Sequence, residues 1–257
     1  MIRETEHRQN LLNAQYVQRG LLPKQRHFDR LFMDSFALYL PKEIVSGDFY
    51  WVGKKHNLRY LVVGDCTGHG VSASLTSVLA LNLFEYIIMN KGIKRTHHIL
   101  AEMDKRYIES FMDVEADEFD NPWIDLAIIA IDDLEQQIYF SAANRKLLHV
   151  KSSEESCTYK SHGYPIGGWQ IQSKRSFETI TIPFEKGDQI YLGSDGYQDQ
   201  FGGDRNKKFG SKRVHNELIK NSTASFKDQH EVLIETHSQW KGDNDQTDDI
   251  CIVGVKL

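Results

Sequence analysis

From Phe36 to the end of the chain, short β-forming runs follow one another, and helical segments interrupt them only in pairs. The runs are 36–40, 49–52, 59–63, 124–131, 137–141, 146–150, 177–182, 188–193 and 250–255, rich in Ile, Val, Tyr and Phe. One helical pair is expected near 71–90 and 96–112, another near 211–220 and 226–240. Many strands joined by turns, with helices inserted two at a time, predict an α+β architecture in which antiparallel sheets carry helices on their outer faces. With 257 residues, 40% of them hydrophobic, the chain is long enough for one large domain with a substantial core. Ahead of the strands, Leu11, Ala14, Val17 and Leu21 recur at spacings of three and four, so residues from about 5 to 22 predict an amphipathic helix stopped by Pro23. That helix either packs on its own domain or forms a coiled-coil linker or dimer seam.

The net charge of -5 and the lack of a dense Lys/Arg stripe argue against nucleic acid as a partner. Cys66, Cys157 and Cys251 are isolated, which indicates neither a zinc ribbon nor a disulfide framework and fits a reducing cytoplasm. The longest continuous apolar run, Leu126 to Ile131, is far below the ~20 residues that cross a bilayer, and the polar opening Met1 to Asn10 is no signal peptide. No direct membrane contact is expected of this chain. Its start inside a helix-like segment suggests the cytoplasmic portion of a larger protein. The acidic stretch Asp113, Glu115, Asp117, Glu118, Asp120 is expected to be a solvated loop, because Glu118 stands where a calcium loop needs glycine.

Four acidic turns flank strand-like runs: Ser46-Gly47-Asp48, Gly64-Asp65-Cys66-Thr67-Gly68-His69-Gly70, Gly193-Ser194-Asp195-Gly196 and Thr247-Asp248-Asp249. Any one of them is an ordinary strand-ending turn. As a set they predict a metal site, since a carboxylate at a strand end beside a glycine offers hard oxygen on a rigid base. A hairpin with its turn over Gly53 to Asn57 would bring Asp48 and Asp65 to one end of adjacent strands, and later strand ends would add Asp195 and Asp248. Oxygen ligands without a His or Cys set suit Mg²⁺ or Mn²⁺ better than Zn²⁺. Two such ions can activate a water for in-line attack at phosphorus.

Competing readings fail or survive on single residues. A nucleophile elbow around Ser194 requires glycine at the position of Leu192. The Gly64–Gly70 loop lacks the GK[ST] ending of a P-loop. A catalytically silent phosphoprotein-binding domain requires a broken metal shell, and all four carboxylates are present.

Val45-Ser46-Gly47-Asp48-Phe49-Tyr50, Gly64 to Gly70, Tyr164-Pro165-Ile166-Gly167, Ser194 to Gly202 and Asp248-Asp249-Ile250 together resemble the SpoIIE-like bacterial branch of the PPM (protein phosphatase 2C-like) metal-dependent serine/threonine phosphatases. The resemblance covers about residues 16 to 257. It implies an αββα sandwich, two Mn²⁺ or Mg²⁺ ions, and hydrolysis of phosphoserine or phosphothreonine without a covalent intermediate. Carried onto this chain, it has Asp65 bridging both ions, the Cys66 carbonyl assisting, Asp195 and Asp248 completing one shell, and Asp48 holding the second ion directly or through water. Asp249 takes a supporting role. His69 either gives a proton to the departing Ser/Thr oxygen or is only a turn residue, and Asp125 either approaches a third metal or is satisfied by backbone donors. No Arg stands where animal relatives clamp phosphate, which leaves Lys42 as the substitute.

The resemblance also divides the chain into a linker or regulatory helix at 1–30 and a catalytic domain at 31–257. The segment Gln18-Arg19-Gly20-Leu21-Leu22-Pro23 then belongs to a helix that ties the domain to an upstream sensor and offers a homodimer seam. The implied substrate is a phosphorylated cytoplasmic signalling protein, such as a STAS-type anti-sigma-factor antagonist in a partner-switching pathway.

Overall fold

A computed structural model describes residues 2–111, 122–161, 163–168 and 175–257, with side chains from Thr5 onward. The acidic stretch 113–120 lies outside the described residues. Two antiparallel sheets stack face to face. One runs β2 (Asp48–Lys55), β3 (Leu58–Cys66), β4 (Trp123–Asp132), β5 (Gln137–Ala143) and β9 (Ile180–Pro183), with β8 (Ile166–Gly167) pairing to the start of β4. The other runs β1 (Asp34–Leu40), β13 (Ile250–Lys256), β10 (Gln189–Gly193), β6 (Lys146–Val150) and β7 (Ser156–Lys160). Helices α3 (Gly70–Glu85) and α4 (Thr96–Glu109) cover the first sheet, and α7 (Phe226–Lys241) lies against the second beside α6 (Ser211–Lys220). The expected αββα sandwich is therefore the observed fold.

The period-two alternation of the strands builds this layering. On β13, Cys251, Val253 and Val255 join the core shared with the first sheet, whereas Ile250 and Ile252 join a second core with Leu218 of α6 and with Phe226 and Leu233 of α7. On β4, every residue from Leu126 to Ile131 is buried, because helices cover one face and the opposite sheet the other.

Several expectations are corrected. The hairpin turn is not Gly53 to Asn57. Strand β2 continues to Lys55, and only His56 (φ 54°) and Asn57 connect it to β3. Strand β7 was not expected, because an edge strand with largely exposed side chains carries no apolar alternation. The apolar stripe of α1 (Ile2–Leu21) does not face the domain. Ala14, Val17 and Leu21 are exposed, only Leu11 of the stripe is half-buried, and the helix docks instead through hydrogen bonds from Gln15 and Gln18. The segment Gly70–Asn90, which ends in one π-helical turn, is long and apolar enough to cross a membrane, although no continuous apolar run reveals it. Half of it is buried here, with Ala73, Ala80, Phe84, Ile87 and Ile88 in the core.

Candidate active site

Strand register assembles the first part of the site. Asp48 on β2 lies directly opposite Asp65 on β3, and Asp65 lies opposite Asp125 on β4. Three carboxylates thus stand on one rung, where like charges repel. The second sheet adds Asp195, just after β10, and Asp248 and Asp249, just before β13. Close backbone approach makes this possible at two glycines. A Cβ on Gly47 would lie 2.9 Å from the Cys66 carbonyl oxygen, and one on Gly196 would lie 1.8 Å from the Asp249 carbonyl oxygen.

Burial and crowding show in the titration of these groups. Asp48 is fully buried; burial first, and then the Asp65 charge, hold its carboxyl well above the ordinary range. Its Oδ2 accepts a hydrogen bond from the Ser194 hydroxyl (2.6 Å), while its Oδ1 has no partner. Asp65 is pushed up to about 8 by burial and by Asp195, Asp248 and Asp125, against the opposing charge of Arg145. Burial also raises Asp125 and Asp248. The Cys66 thiol is fully buried and driven up by the same cause, so it is no nucleophile in this setting.

The remaining expected residues fall into distinct places. Asp249 accepts from the backbone N–H groups of Lys42 and Gly47, both at 2.7 Å, and so shapes the turn that presents Asp48. Lys42 therefore meets the site through its backbone, and its charge lowers Asp248 among weaker influences. His69 stands at the N-cap position of α3 with Nδ1 2.7 Å from Oε1 of Glu43, both side chains half-exposed. Asp125 accepts a hydrogen bond from Asn144 Nδ2 (2.9 Å).

Sequence reasoning missed Glu43 and, above all, Arg145. The link between β5 and β6 crosses from one sheet to the other at Asn144 (φ 59°) and Arg145, which drops the guanidinium among the carboxylates. It pairs with Asp65, with Asp195 (2.9 Å) and with Asp125 (3.6 Å). An Asn-Arg turn between two strand-like runs was visible, but nothing local shows where it lands.

The donor set fits hard divalent cations. It offers carboxylate oxygens from both sheets and an orphaned, buried Asp48 Oδ1, and burial together with neighbouring carboxylates raises the proton affinity of Asp48 and Asp65. Among the described residues no three His, Cys, Asp or Glu side chains stand grouped to hold an ion as placed. The Arg145 guanidinium lies between three of them.

Known proteins share the fold. The SiaA-PP2C domain of Pseudomonas aeruginosa superposes with a TM-score of 0.88 at 27% identity, covering 99% of this chain and 98% of that one. The phosphatase domain and regulatory fragment of SpoIIE from Bacillus subtilis (TM-score 0.67, 18% identity, 87% of this chain and 63% of that one) shares the fold. So do the RsbU and RsbW domains of a Mycobacterium tuberculosis protein (0.68, 17%, 87% and 59%). This chain thus spans less than two thirds of those two longer chains. No curated protein matches the sequence. The family model for Stage II sporulation protein E (SpoIIE) matches residues 56–257, most of the chain. By that match and by its αββα fold, the chain belongs to the SpoIIE family, the bacterial branch of the PPM protein serine/threonine phosphatases.

Proposed function

We propose that this chain removes phosphate from phosphoserine or phosphothreonine on a signalling protein, such as a STAS-type anti-sigma-factor antagonist, as the cytoplasmic output domain of a larger sensor protein. The observation that carries the reading is the rung Asp48–Asp65–Asp125, met by Asp195 and Asp248 from the facing sheet. Asp48, Asp65, Asp195, Asp248 and the Cys66 carbonyl are the residues that would hold two Mn²⁺ or Mg²⁺ ions, with Asp125 at the margin. A relative of the same fold, RsbX, is described in complex with magnesium. When bound, such ions supply Lewis acidity toward the phosphoryl oxygens and an ionised attacking water. In this reading His69 gives the leaving Ser/Thr oxygen its proton, and its contact with Glu43, which would orient the ring, supports that role.

Residues 31–257 form the catalytic unit in this reading, and 1–30 the linker. The outward Ala14, Val17 and Leu21, with Leu12 and Tyr16 also exposed, support a homodimer seam along α1. The test is turnover of p-nitrophenyl phosphate in Mn²⁺. Hydrolysis by the wild type and loss of about 100-fold or more in Asp65→Ala is expected for a group at the reacting centre. A wild type without turnover overturns the reading. Trapping with the inactive variant then identifies the phosphoprotein.

A further inference from the structure

We propose that Arg145 is a built-in counter-cation of the acidic site, so that divalent ions enter by displacing its guanidinium. The inference rests on reading that site as a metal centre. Arg145 is one-tenth exposed and engages three of the carboxylates that converge there, reaching Asp65 with Nη2 and Asp195 with Nη1. Its grip is on Oδ2 of Asp65 and Oδ2 of Asp195, one carboxylate from each sheet. A guanidinium in contact with these carboxylates already offsets their charge and repels any divalent ion brought beside it, so the two cations compete for the same negative charge.

The surroundings also give the arginine somewhere to go. Its side chain lines a cleft of about 260 Å³ that begins at Asp125 and Asp195 and extends to Ser211, Val214 and His215 of α6. Its Nε is buried without a hydrogen-bond partner in the present position, so one of its donors is already unsatisfied where it stands. Rotation toward the α6 end of the cleft frees Asp65, which does not line it. Metal affinity is then set by the difference between two cations rather than by the carboxylates alone. The protein is also never left with an unneutralised acidic rung when metal is scarce.

Calorimetric titration of the full chain with Mn²⁺ tests this, using wild type, Arg145→Gln and Arg145→Lys, alongside melting in EDTA. Removing the competitor should tighten Mn²⁺ binding by about tenfold or more in Arg145→Gln. The same variant should melt lower than wild type in EDTA and gain more from added Mn²⁺. Arg145→Lys, which keeps the charge but loses the fork that reaches several carboxylates, should bind Mn²⁺ more tightly than wild type and less tightly than Arg145→Gln. Equal or weaker Mn²⁺ binding by Arg145→Gln, in a variant that melts cooperatively, overturns the inference. If wild type still hydrolyses p-nitrophenyl phosphate in that case, the phosphatase reading stands without it. If Arg145→Gln binds Mn²⁺ tightly and neither protein hydrolyses, the inference stands and the phosphatase reading falls.

Discussion

Ser194, at the end of β10, donates a hydrogen bond to Oδ2 of Asp48, at the start of β2, across the gap between the two sheets (2.6 Å). The same hydroxyl oxygen accepts from the Cys251 backbone N–H (2.9 Å), so one side chain ties β2, β10 and β13 together beside the acidic rung. Ser194→Ala leaves a fully buried carboxylate and a backbone donor unsatisfied. The expected loss is about 1–3 kcal/mol, read as a lower urea midpoint at unchanged m-value, together with reduced turnover. An unchanged midpoint would contradict the bridging role.

The elevated Asp65 carboxyl sets a pH dependence of known sign. In EDTA the folded protein keeps this proton up to about pH 8, whereas an unfolded chain releases it near the ordinary Asp value of about 4. Between those limits the native state binds more protons, so stability falls as pH rises, by at most about 1.4 kcal/mol per pH unit for each extra proton. Asp48 acts in the same direction. His215, His230 and His237, lowered by burial, push the curve the other way up to about pH 6.5, so the signature is the difference between proteins: from pH 5 to 8 in EDTA the stability of wild type relative to Asp65→Asn should fall, and saturating Mn²⁺ should flatten the wild-type fall. A wild type that gains stability relative to Asp65→Asn over that range would refute the assignment.

Gln18 joins the N-terminal helix to the turn that carries Asp48. Its Nε2 donates to the Ser46 carbonyl (2.6 Å) and to the Ser77 hydroxyl (2.9 Å), and its Oε1 accepts from the Ser46 N–H (3.1 Å). Gln18→Ala should cost about 1–3 kcal/mol and speed amide exchange in residues 44–48, with reduced turnover because Asp48 is two residues from the released strap. Exchange left unchanged at that turn would show that α1 does not hold it.

Gly196 is irreplaceable on steric grounds. An added Cβ meets the Asp249 carbonyl oxygen at 1.8 Å, so Gly196→Ala must push α5 (Gly196–Asp199) away from β13 and move Asp195 with it. A loss of about 1–3 kcal/mol or more is expected, with weaker Mn²⁺ binding by calorimetry. A variant with wild-type stability and affinity would mean that the backbone there yields freely.

Legibility in the sequence followed the range of the interactions. Strand β6 and helix α6 have the bounds expected of them, since alternation and helical spacing are written in neighbouring residues. The stripe of α1 was visible too, but its direction was not. Docking through Gln15 and Gln18 uses hydrogen bonds to Ile44 and Ser46, which no hydrophobic period records. Glu43 beside His69 escaped for a similar reason, being a contact between side chains of separate loops.

By itself the sequence determined a layered α+β fold with acidic, glycine-flanked strand ends, because backbone propensity and turn chemistry act over a few residues. Tertiary structure alone decided that Asp48, Asp65 and Asp125 share one rung, that Ser194 reaches Asp48 from the facing sheet, and that Arg145 falls among the carboxylates. Those outcomes depend on pairing register and on where one chain crossing lands. Both are settled by the burial of two sheets against each other, a balance that no short stretch of residues contains.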